Sequence, residues 1–192
     1  MTDGQTTKGW RDLAHYLSAL SAGERDSVSG QTGWPLYGDT GETLRMLGGV
    51  PGLTDGAASD SAALAGVRLA LEGGDRGLAT KLGEVALQLA GSVEERQLAH
   101  ACLAQSAFKF RKDPESLVVF ERHCEAAIAL GHAGTFCYER LAVLYEYRGE
   151  TQRATEVCEK AAAALGASGD GRSAERFRKK AQAIRNRRNK SG

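Results

Sequence analysis

An all-α fold is predicted by three features of the sequence. Ala and Leu are abundant while Val, Ile and aromatic residues are sparse, a balance that suits helices better than strands. Only three prolines occur, two of them before residue 52, so most of the chain is free of the residue that most strongly interrupts a helix. The 24 glycines gather in residues 23–56 and at the ends of apolar-periodic runs, where a tight turn or left-handed cap needs a residue without Cβ. With 192 residues and 42% hydrophobic content, the chain can form one elongated domain, or a compact one with an accessory segment, around a true core.

Taken in order, Trp10, Leu13, Ala14 and Leu17 recur at helical spacing and make a first apolar face. Residues 22–37 are rich in Gly and Ser, contain Trp34-Pro35, and read as a long loop that either packs on the body, binds a partner or is disordered. Glu42 to Leu47 is a short helical run ending in Gly48-Gly49. Residues 60–93 form two helical runs divided at Gly74, with Ala63, Gly66 and Ala70 small along the first. Ser92 to Glu95 is a capping box that starts a helix carrying His100, Leu103, Ala104 and Ala107. Asp113-Pro114 then supplies an N-cap and an N1 proline for a helix running to Leu130-Gly131. Ser173 to Arg188 form a last amphipathic helix, with Ala174, Phe177, Ala181 and Ile184 on one side and basic residues on the rest.

Residues 135–166 carry the clearest pattern: a helix, a turn at Gly149 and a second helix, with Tyr138, Leu141, Ala142, Tyr145, Ala154, Cys158 and Ala161 in an interlocking order of large and small. This stretch resembles a tetratricopeptide repeat, with Cys158 where Phe is usual and Gly166 in place of the closing Pro. Residues 60–93 align with it at Gly74, Ala79 and Ala86, and Phe120, Cys124 and Ala127 match the second helix of a unit lengthened by about one helical turn. The resemblance implies a right-handed superhelical stack of about three helical hairpins over residues 57–192. Residues 172–188 would be its capping helix, and residues 1–56 a helical extension lying as a lid on the first repeat. It also implies a concave groove for a peptide or helix, lined by Ala101, Gln105, Phe108 and Lys109 in the lengthened repeat and by Phe136, Glu139, Val143, Glu146 and Tyr147 in the clear one. Phe108 and Tyr147 have an alternative role as packing between repeats. Family members that clamp a chaperone's terminal carboxylate use Lys, Arg and Asn in the groove; Glu139 and Val143 do not suit that clamp, and the acids favour a partner with apolar anchors and some basic character.

The net charge of +1 conceals a division, because residues 172–192 hold nine Lys/Arg against one Glu and the remainder is acidic. The basic tip includes Arg176, Lys179, Lys180, Arg185, Arg187 and Arg188, and reads either as a solvated cap or as a contact to nucleic acid or the ribosome. The four cysteines lie far apart without a C-x-x-C pair and read as small buried side chains, with a zinc site or a regulatory disulfide as the alternatives. No phosphate-binding loop, dinucleotide fingerprint, zinc-protease or nucleophile-elbow motif is present, so neither catalysis nor a cofactor is expected. Glu121 and Glu125 read as an ordinary surface pair. With no long apolar run, the expected setting is cytoplasmic, and the expected partner is another protein, with self-association through an open end of the stack as a further possibility.

Overall fold

The computed structural model describes residues 3–49 and 59–191, and within them ten α-helices follow one another without a strand. Three helices come first: α1 (Asp3–Ser18), α2 (Ala22–Thr32) and α3 (Thr40–Leu47). Three antiparallel hairpins follow, α4 (Ser59–Glu72) with α5 (Arg76–Leu89), α6 (Val93–Lys109) with α7 (Pro114–Ala129), and α8 (Thr135–Tyr147) with α9 (Thr151–Ala167). The last helix, α10 (Gly171–Ser191), packs on α9. The chain is thus an all-α, tetratricopeptide-like stack of hairpins in which α5 meets α6, α7 meets α8, and the first helices α4, α6 and α8 lie side by side.

Local chemistry sets the element ends. Ser92 and Glu95 cap α6 reciprocally, and Asp113 accepts from the Glu115 amide ahead of the N1 proline of α7. Gly74 and Gly149 close the first helix of their hairpins at φ 80° and 77°, a left-handed conformation that strains any residue with a Cβ. The clear repeat interlocks as its spacing predicts: Tyr138, Leu141, Ala142 and Tyr145 of α8 and Ala154, Cys158 and Ala161 of α9 are all buried. Ala174, Phe177, Ala181 and Ile184 join the same cluster, so α10 covers the apolar end of the last hairpin.

The expected loop over residues 22–37 is corrected: most of it is α2. The Ser21 hydroxyl accepts from the Glu24 amide while Glu24 accepts from the Ser21 amide, a second capping box that starts the helix despite its Gly and Ser content. The helix stops at Gly33, and Trp34 then turns inward and is buried. Apolar packing joins α1–α3 to α4 and α5 in one cluster containing Trp10, Leu13, Leu17, Trp34, Val67 and Leu82, while α6–α10 share another. The domain boundary expected at 56/57 lies outside the described residues.

Candidate functional site

The residues assigned to the groove divide by the way α8 is turned. Tyr138, Leu141 and Tyr145 face inward, so Phe136, Arg140, Val143 and Tyr147, spaced at i, i+4, i+7 and i+11, share the opposite side. Val143 is 52% exposed and Tyr147 89%, the most exposed of the large apolar side chains among the described residues. On α6, Gln105 and Lys109 are exposed and continue a stripe from Leu98, 48% exposed and overlooked in the sequence because it precedes the aligned repeat core. Ala101, by contrast, is buried in the core. The Lys109 ammonium donates to the Leu71 carbonyl at the end of α4 and so ties α6 to its neighbour.

Phe108 and Phe136 take the packing role. Their rings meet edge-on at 5.7 Å, and Phe108 lies 5.2 Å from the buried Phe120. Above this cluster, the guanidinium groups of Arg111 and Arg140 lie 4.7 and 5.2 Å from the Phe108 ring centroid.

Glu139 and Glu146 are turned toward α10, where their charge is already met. Arg176 reaches Glu139 at 2.5 Å, and Lys180 and Arg187 reach Glu146 at 3.0 and 2.6 Å. Arg185 pairs with Glu159 of α9 and Lys179 lies 3.9 Å from Glu175. Five of the six residues assigned to the basic tip therefore have carboxylate partners, and the side chain of Arg188 lies outside the described residues. The groove acids Glu139 and Glu146 and the tip cations Arg176, Lys180 and Arg187, separate features in the sequence, are the two sides of one intramolecular ladder. Its exposed rungs contribute little each, in the range of 0–1 kcal/mol, so burial of the α10 apolar stripe holds the helix.

Two polar clusters escaped the sequence reading. The Tyr145 hydroxyl oxygen lies 3.0 and 2.8 Å from carboxylate oxygens of Glu121 and Glu125 and accepts a 2.6 Å bond from Arg153, whose guanidinium also stacks 4.0 Å over the ring. Burial raises the Glu121 carboxyl, but bonds from Arg148, Tyr145 and Arg153 outweigh it and hold the group below its ordinary range. The cluster ties α7 to both helices of the last hairpin. Second, His100 and His123 meet across α6 and α7 with Nδ1 atoms 3.0 Å apart. Burial, the Arg122 charge and His100 push His123 down to about 4, and burial followed by Arg122 lowers His100.

Cys124, Cys137 and Cys158 are buried, Cys102 is half-buried, and all four are free thiols. Burial raises Cys158 to about 11, which disfavours the reactive thiolate. Among the described residues no group of three or more His, Cys, Asp or Glu converges as a metal site, and no helix is long and apolar enough to cross a membrane.

No family model and no curated protein matches the chain. Among solved structures, the crystal structure of MamA aligns at 17% identity over 89% of this chain and 98% of that one, with a TM-score of 0.42.

Proposed function

We propose that the chain is a non-catalytic protein-interaction module that receives a peptide or helix along the face lined by α6 and α8. One observation supports this most strongly: Tyr147 is 89% exposed while the two other tyrosines of the same helix, Tyr138 and Tyr145, are each 1% exposed. A large rigid aromatic left in solvent beside Val143 has the character of a binding anchor. Gln105 and Lys109 lie on the neighbouring helix and extend the face; Phe108 and Phe136 form its floor, and Glu139 and Glu146 its edge toward α10. Free thiols throughout suit a reducing compartment, and we place the protein in the cytoplasm.

The alternative, contact with nucleic acid or the ribosome through α10, sets phosphates in competition with the carboxylates of Glu139, Glu146 and Glu159 for Arg176, Lys180, Arg187 and Arg185. Pull-down from native cytosol with wild-type and Val143→Ser, Tyr147→Ala protein, read by mass spectrometry, tests the assignment. A partner lost from the folded variant supports the face; undiminished recovery of every partner refutes it.

A further inference from the structure

Two cations without a carboxylate partner lie together on the α6–α8 face. Arg111 and Arg140 flank the Phe108 ring, both exposed, while Lys109 reaches the Leu71 carbonyl of α4; among the described residues none of the three pairs with an acid. The carboxylates that the sequence places on this face, Glu139 and Glu146, are neutralised from α10 by three cations. The charge left over is therefore positive, opposite to what the acidic residues alone suggest. Val143 and Tyr147 follow Arg140 at i+3 and i+7 on one stripe, so guanidinium and apolar anchor positions lie in line along α8.

We infer that the partner is an acidic protein segment with an apolar or aromatic anchor, its carboxylates meeting Arg111 and Arg140 and its anchor meeting Val143 and Tyr147. The inference rests on the proposed interaction face and names the chemistry of its occupant. Stacking on Phe108 holds both guanidiniums over an apolar floor, where a carboxylate accepts two parallel hydrogen bonds from the planar fork. A nucleic-acid strand fits less well. Single-strand binding uses a run of open aromatic platforms; among the described residues this face offers one open ring, Tyr147, while the guanidiniums occupy Phe108, Val143 has no ring, and Glu139 and Glu146 border the face.

Selection from a phage-displayed random-peptide library on the intact chain tests this. Enriched peptides should carry net negative charge and an aromatic or large aliphatic residue. They should bind about tenfold or more weakly to the Arg111→Ser, Arg140→Ser protein, and also more weakly to Tyr147→Ala. Circular dichroism verifies that these surface variants remain folded. Net-positive peptides that still depend on Tyr147 would overturn the acidic partner and leave the interaction face standing. Peptides indifferent to Val143→Ser and Tyr147→Ala, or no enrichment at all, would overturn both. Short single-stranded RNA binding more tightly than any selected peptide, and losing that affinity in the double-arginine variant, would reassign the guanidinium pair to nucleic acid.

Discussion

The core around α1–α5 and the core around α6–α10 fill space in opposite ways. In the second, the bulk comes from the repeat helices themselves: Tyr138, Leu141 and Tyr145 of α8 lie against small residues of α9, with Phe177 of α10 meeting Tyr138 edge-on at 6.1 Å. In the first, α4 presents Ala63, Gly66 and Ala70 beside Leu64 and Val67, and Trp34 adds volume over the small residues from outside the hairpin. A Cβ on Gly66 would sit 3.0 Å from Leu82 Cδ1 and 3.7 Å from the Trp34 ring, so the glycine is the surface on which the tryptophan lies. One backbone plan is completed by neighbours in sequence at one end and by a distant segment at the other. What looks like a degenerate repeat is a repeat with its large residue supplied from residue 34.

The largest effect should come from removing that residue. Trp34→Ala is expected to cost about 3–5 kcal/mol, the range for truncating a buried aromatic, with hydrogen exchange quickening in α1–α5 and little changed in α6–α10. Equal loss of protection in both halves would dissolve the comparison into a single cooperative unit.

Glycines sharpen it further. A Cβ at Gly83 would meet Leu103 Cδ2 at 2.4 Å across the α5–α6 contact that joins the halves, whereas one at Gly30 in α2 meets nothing within 4 Å. Gly83→Ala should therefore destabilise by about 1–3 kcal/mol through overpacking. Gly30→Ala should stabilise by roughly 0.5–1 kcal/mol because the helix gains a better former. Urea unfolding distinguishes the two signs, and equal shifts would show that α5 and α6 are not in tight apposition.

Acid should weaken the second core first. His123 faces His100 and Arg122, and its proton affinity is depressed to about 4, so the unfolded chain binds protons that the folded chain refuses. Stability is then full above the unfolded value and falls as pH drops from about 6.5 toward 4, by roughly 2 kcal/mol between about pH 7.5 and about pH 5. His15 of α1 is exposed, which leaves the first core without an equivalent group. Thermal melts of His123→Gln should lose much of that pH dependence, with half-buried His100 and His132, both also lowered, carrying the remainder; an unchanged dependence would move its origin elsewhere.

The smallest effect belongs to the α8–α10 ladder. Glu139→Gln with Glu146→Gln should cost under about 1 kcal/mol in total, and moderate salt should erase the difference from wild type. A larger loss that persists in salt would mean that ion pairs, not the Phe177 stripe, hold the cap.

Much of this arrangement is legible in the sequence where it depends on near neighbours. The spacing of Tyr138, Leu141, Ala142 and Tyr145 determines which side of α8 is buried, because a helix repeats every 3.6 residues whatever surrounds it. Ala174, Phe177, Ala181 and Ile184 mark the cap in the same way, and Ser92 with Glu95 marks a helix start. The box at Ser21 and Glu24 was equally readable, but the Gly and Ser around it resemble a loop. The site was less legible: Val143 and Tyr147 follow from the helical phase, whereas Leu98, Arg111 and Arg140 are ordinary surface residues until α6 and α8 lie side by side. The sequence by itself determined the helices other than α2, their inward faces and the hairpin order, since each is set by interactions within a few turns. Only the tertiary structure decided that Trp34 fills the hollow over Gly66, that Tyr145 holds Glu121 and Glu125 together, and that the basic helix neutralises the acids of its neighbour. Those outcomes join residues about 20 to 40 positions apart, and charge or size at one position does not indicate which distant partner the packing will bring to it.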